Sequence, residues 1–219
     1  MKRWSELRLQ DFLSAYPQMR LIELSDKRVI VEGHYNLNAQ MEGYEVIQCQ
    51  YRIRVTFPVQ YPKALPQVVE LDRRIPRKMD YHIYSDGSFC LGSNIKLKSV
   101  LFEHPTATDL IETVISPFLY KISYKLKYDV VPFGELDHGV DGLIDDYLRI
   151  FKVEGKSSVL RVLQALGKRK RDANKVLCPC GCNKRIGKCK FRFALQNWRK
   201  LEKRSWFRKH FVELTSGTI

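Results

Sequence analysis

The chain has 219 residues, 44% of them hydrophobic and 28% charged, which is enough apolar surface for a buried core and excludes a wholly disordered chain. No run approaches the roughly 18 apolar residues of a membrane span, and Met1-Lys2-Arg3-Trp4-Ser5-Glu6 opens an amphipathic pattern rather than an apolar signal core, so a cytoplasmic protein is expected. The net charge of +14 is uneven: residues 152 to 210 hold 19 Lys or Arg against Glu154, Asp172 and Glu202, whereas residues 1 to 151 hold 19 basic and 20 acidic side chains. A near-neutral body joined to a basic tail predicts two units, 1–151 and 152–219.

Trp4, Leu9, Phe12, Leu13 and Tyr16 share one helical face and Pro17 ends it, which predicts one opening amphipathic helix. Strands are predicted at Leu21 to Leu24 and Arg28 to Tyr35 around a Ser25-Asp26-Lys27 turn. From Glu45 to Phe57, residues Ile47, Cys49, Tyr51, Ile53, Val55 and Phe57 alternate with Gln48, Gln50, Arg52, Arg54 and Thr56, the period of a half-buried strand. That phase assigns Cys49 to the core. With Gln67 to Leu71 these segments predict an antiparallel meander.

Asp72 to Pro105 reads as irregular. Leu110, Ile111, Val114, Ile115, Phe118, Leu119 and Ile122 then recur at helical spacing behind Thr108 as a cap, with a kink expected at Pro117. A loop from Asp129 to Gly142 leads to a helix bearing Leu143, Ile144, Tyr147, Leu148 and Phe151, and a further helix runs from Ser158 to Leu166 before Gly167. The tail opens with Lys168-Arg169-Lys170-Arg171. It ends in a basic helical pattern carrying Phe191, Leu195, Trp198, Leu201 and Trp206.

Two motifs sit within this α+β order of helix, meander, cysteine-bearing segment and helices. One is Phe57-Pro58-Val59-Gln60-Tyr61-Pro62 with Pro66 and Val68; the other is Gly87-Ser88-Phe89-Cys90-Leu91. Both, in this order, resemble the ubiquitin-conjugating enzyme (UBC) family, over roughly residues 1 to 150. The resemblance implies that Cys90 is a catalytic cysteine carrying a thioester. The family has a His-Pro-Asn triplet that starts ten residues before its cysteine; here the window reads Asp80-Tyr81-His82, so His82 occupies the asparagine position. A histidine there could hold an oxyanion or act as a general base. Pro132-Phe133-Gly134-Glu135-Leu136-Asp137-His138-Gly139 is similar to a signature of the bacterial branch, without a role assigned to His138.

The chain has neither common Gly-rich nucleotide loop, and it ends in Thr215-Ser216-Gly217-Thr218-Ile219 rather than a di-glycine. As an enzyme it is therefore expected to need a separate activating enzyme and a ubiquitin-like modifier, or a partner with an activated C-terminus. The resemblance implies a bacterial conjugation system, several of which serve anti-phage defence, one class with a nucleotide cyclase as the partner. The alternative is a non-catalytic adaptor of the same fold. A cysteine hydrolase ranks last, for want of an acid to orient a Cys and His pair.

Cys178, Cys180, Cys182 and Cys189 fall within twelve residues, a spacing that puts four thiolates within reach of one structural zinc ion. Cys178-Pro179-Cys180-Gly181 with Cys189 resembles the small zinc motif at the C-terminus of the SecA translocation ATPase. Lys190 stands where that motif has its last ligand, so the fourth position falls to Cys182 or to His210. The basic tail with its interleaved aromatics fits either a nucleic acid or an acidic protein partner, and no membrane.

Overall fold

The computed structural model describes residues 2–132 and 139–217; Phe133 to His138 of the octapeptide signature lie outside the described residues. The chain divides into two compact units, Met1–Glu135 and Leu136–Ile219. The charge changes sixteen residues later, at 152. The difference arises because the helix before that point lays its apolar face on helices of the basic tail, and packing sets the unit where charge does not.

In the first unit a short 3-10 helix (Lys2–Leu7) and α1 (Leu9–Ala15) replace the single opening helix, because Arg8 takes a left-handed conformation (φ 48°) between them. Four antiparallel strands follow in sequential order: β1 (Met19–Leu24), β2 (Arg28–Ala39), β3 (Ile47–Pro58) and β4 (Gln67–Glu70). Inner-face residues pair across β2 and β3 as Val29 with Phe57, Val31 with Val55 and Tyr35 with Tyr51. Alternation does what the sequence predicts, burying Ile47, Tyr51, Ile53, Val55 and Phe57 and leaving Gln48, Gln50, Arg52 and Arg54 in solvent. Cys49 is half-buried on the inner face, its Sγ 3.4 Å from Ser123 Oγ. Gly33 is required where the chain enters β1, since a Cβ there would lie 2.1 Å from the Gln18 carbonyl oxygen.

The stretch expected to be irregular contains α2 (Asn94–Glu103), capped by Ser93, whose Oγ accepts from the Lys96 N–H. The next helix is capped at Thr106, two residues before the expected Thr108. It runs as α3 (Ala107–Leu110), a π turn (Ile111–Ile115) and α4 (Ser116–Tyr128). The chain thus absorbs Pro117, which has no N–H to give the ladder, as a π turn beside it. Leu110, Ile111, Ile115, Leu119 and Ile122 press on the inner sheet face with Phe57 and Tyr35, each large side chain contributing about 1.5–3 kcal/mol by burial.

The second unit packs α5 (Gly139–Phe151), α6 (Lys156–Gly167), α7 (Lys170–Ala173), α8 (Phe191–Leu201) and α9 (Arg204–Ser216). The expected single tail helix breaks at Glu202 and Lys203. Phe151 meets Trp198 at 4.7 Å between ring centroids, and Val159, Val162, Leu163, Leu166 and Phe207 are fully buried. Most tail aromatics therefore serve this core, and of those from Phe191 onward Phe193 alone is largely exposed. Among the described residues no helix is long and apolar enough to cross a membrane.

Candidate active site and metal centre

Cys90 stands on a tight hairpin that extends the β4 edge of the sheet. The Phe89 N–H donates to the Val68 carbonyl (2.9 Å) and the Glu70 N–H to the Gly87 carbonyl (3.1 Å), which lays this segment along β4. Ile83 then pairs with Phe89, and the Cys90 N–H donates to the His82 carbonyl at 2.8 Å. The bend between the two arms follows from Asp86 and Gly87. Asp86 Oδ1 accepts from the Ser88 N–H (2.9 Å) and hydroxyl (2.6 Å), contacts that hold its carboxyl below the usual range. Gly87 has φ +85°, and a Cβ would lie 2.8 Å from Arg77 Nη2 and 3.1 Å from the Glu70 carbonyl, so only glycine fits.

Strand alternation sorts the hairpin's side chains. Ile83 and Phe89 turn into the core, Phe89 stacking on Phe118 at 4.7 Å, while Tyr84 and Cys90 take the opposite side. The Cys90 thiol is half-buried. Tyr84 is 46% exposed; its interaction with the Cys90 sulfur first, then burial and the neighbouring charges, pushes the phenol up to about 12. His82 lies directly across from Cys90 in a left-handed conformation (φ 51°), an uncommon state that histidine tolerates better than most residues. The structure thus brings together the two residues singled out in the sequence and adds Tyr84. Tyr84 and Cys90 share a face because the turn at Asp86-Gly87 pairs Ile83 with Phe89, a pairing that spacing along the chain does not show.

In the second unit a smaller hairpin carries the other cysteines. The Cys178 N–H donates to the Lys184 carbonyl (2.8 Å), the Ile186 N–H to the Val176 carbonyl (2.9 Å), and Leu177 pairs with Arg185. Gly181 and Asn183, both with positive φ, turn its tip. Cys178 and Cys180 sulfurs lie 3.2 Å apart, Cys180 and Cys189 3.7 Å, Cys182 and Cys189 3.6 Å, and all four lie within 4.8 Å of one another. A tetrahedral ion with bonds of about 2.3 Å asks for sulfur separations of about 3.8 Å, so the set could hold one metal ion.

The Phe191 N–H donates to Cys189 Sγ at 3.4 Å. Burial pushes the Cys178 and Cys180 thiols up, whereas the Lys184 backbone first, then the neighbouring sulfurs, bring exposed Cys182 down to about 7. A bound metal ion would supply the positive charge that makes thiolates of such thiols. His210 does not belong to this set. Its Nε2 lies 2.6 Å from the Tyr147 hydroxyl and its Nδ1 3.2 Å from Glu213 Oε2, so neither nitrogen is available to a metal, and Cys182 completes the four.

No family profile, curated protein or solved structure matches this chain.

Proposed function

We propose that the first unit is a ubiquitin-conjugating-like protein transferase with Cys90 as its nucleophile. The observation that carries this reading is the hairpin, which presents a half-buried thiol opposite His82 on the face it shares with Tyr84. The Cys90 thiolate attacks the carbonyl of an incoming thioester, the new C–S bond forms, and the donor's thiolate leaves. A target amine then attacks the same carbonyl, a C–N bond forms, Cys90 leaves as thiolate, and the amine's proton passes to His82. Tyr84 serves as a hydrogen-bond donor to the sulfur in both steps. The meander, the Phe57-to-Pro62 exit and the Gly87-to-Leu91 turn support the same reading by their resemblance to the UBC family.

The activated acyl group must come from a partner, a separate activating enzyme with a ubiquitin-like modifier, or a nucleotide-cyclase-type protein presenting its own C-terminus. A bacterial, cytoplasmic, antiviral conjugation system is the setting this chemistry fits. The four cysteines take zinc in a structural role, because the set is closed by four protein sulfurs and leaves no open position for a substrate.

Non-reducing intact-mass analysis of protein from its own host tests the reading. The expected result is an adduct that dithiothreitol and hydroxylamine both remove and that Cys90→Ala lacks. His82→Ala should keep the adduct and slow its discharge to amines by about a hundredfold. Absence of any such adduct, with full biological function in Cys90→Ala, would replace the transferase with a non-catalytic adaptor.

A further inference from the structure

The second unit, residues 136 to 219, holds 20 Lys or Arg against eight Asp or Glu, and four of those acids lie at or before Asp146. Seven of the cations beyond it gather at one place, the C-terminal end of α6. Arg199 of α8 reaches that end and donates to the carbonyls of Ala165 (2.7 Å) and Lys168 (3.5 Å). Arg208 of α9 lies against Gly167, where a Cβ would come within 2.8 Å of its Cγ. The run Lys168-Arg169-Lys170-Arg171 leaves from the same point into α7. Burial first, and then the like charge of Arg204, push the Arg199 guanidinium below its ordinary value, which puts Arg204 in the same group.

These charges are not ion-paired: Asp172 follows Arg171 directly in α7, yet it forms no ion pair with any of them among the described residues. Arg169, Lys170, Arg171, Arg204 and Arg208 are all exposed, and none has a carboxylate partner among the described residues. Gathering several unpaired cations costs self-repulsion that a chain of anions would relieve. Arg199 is bound to backbone carbonyls and is the structural brace of the group. The surroundings favour one kind of polyanion. Exposed large apolar side chains in this unit are few, Leu177, Phe193 and Val212, so little is offered for insertion into a lipid surface or for the apolar core of a protein interface. The tail's tryptophans are half-buried and already packed, Trp198 on Phe151 and Trp206 on His210, which makes base stacking a lesser mode than contact with phosphates.

We propose that the second unit binds the sugar-phosphate backbone of a nucleic acid at the α6 C-terminus, through Arg169, Lys170, Arg171, Arg204 and Arg208. Binding of this kind is indifferent to base sequence and steeply dependent on salt. It stands apart from the chemistry at Cys90, and holds whether or not Cys90 forms a thioester.

Fluorescence polarisation of the full-length protein with a labelled 20-base-pair duplex, from 50 to 200 mM salt, tests it. Five phosphate contacts predict a slope of log affinity against log salt of about −4.5, a loss of about 500-fold over that range. The variant R169Q/K170Q/R171Q/R204Q/R208Q should lose at least tenfold affinity at 50 mM salt and most of that slope, with its thermal midpoint and zinc content checked against the parent. K152Q/K156Q, at the other end of α6, should bind as the parent does. No measurable binding at 50 mM salt, an unchanged affinity in a folded five-site variant, or an equal loss in K152Q/K156Q overturns the proposal. So would polyglutamate or anionic phosphatidylserine vesicles competing as well as unlabelled duplex, since either would make the partner a protein or a membrane.

Discussion

Both ring nitrogens of His210 are engaged, by Tyr147 of α5 and by Glu213 one turn along α9, and Trp206 stacks on the ring at 4.5 Å. Burial is the larger influence and lowers its pKa, while Glu213 opposes it. The folded state therefore favours neutral imidazole more than the unfolded chain does. Unfolded chains take up a proton near pH 6.5, so the stability from this site is complete above that value and is lost as pH falls from there through the folded pKa. Glu213 is also held low, by His210 first and then Lys209, but its own effect belongs below about pH 4.5. Thermal unfolding should show a midpoint that falls between pH 7 and pH 5 in the parent. His210→Gln keeps a partner for Tyr147 and carries no proton, and its midpoint should stay flat over that window; an equally steep fall in the variant would place the pH sensitivity elsewhere.

Among the elements, the long helix of the first unit depends most visibly on its beginning. Thr106 Oγ1 accepts from the Asp109 N–H (3.0 Å) and Asp109 Oδ2 accepts from the Thr106 N–H (3.2 Å), a reciprocal cap that satisfies two otherwise unpaired donors. Thr106→Ala should cost about 1 kcal/mol, read as a lower denaturant midpoint at unchanged slope. The sequence points instead to Thr108, because the apolar spacing begins at Leu110 and a cap two residues ahead of it suits an undistorted helix. Strands were legible throughout, since a period of two in β3 has no competing reading. Helix α2 was not: Ile95-Lys96-Leu97-Lys98 alternates at the strand period, and only Leu101 completes a helical face, with Lys98 itself buried. The break between α8 and α9 was hidden for the opposite reason, as the aromatic stripe keeps helical spacing across Glu202-Lys203. At the Cys90 hairpin, Cys90 and His82 could be named from order along the chain. Tyr84 required the pairing of Ile83 with Phe89, a tertiary fact that no periodicity encodes.

At the scale of the molecule, the six cysteines separate completely between the two units: Cys49 and Cys90 in the first, and the four clustered sulfurs in the second. That division makes the thiols a report on metal binding. A small unit of short helices around a two-turn hairpin gains folding free energy from an ion that ties Cys178, Cys180 and Cys182 to Cys189 across the intervening 3-10 turn (Ile186–Lys188). A bound ion also withholds all four sulfurs from reagents, although Cys180 and Cys182 are exposed to solvent and would otherwise react readily. Titration of the native protein with a chromogenic disulfide should count at most the two thiols of the first unit. After a strong zinc chelator the count should rise by four, and the thermal midpoint of the second unit should fall while stoichiometric zinc appears in the filtrate. Four reactive sulfurs beyond Cys49 and Cys90 before any chelator is added would show that the cluster holds no ion, and the second unit would then have to fold on its apolar core alone.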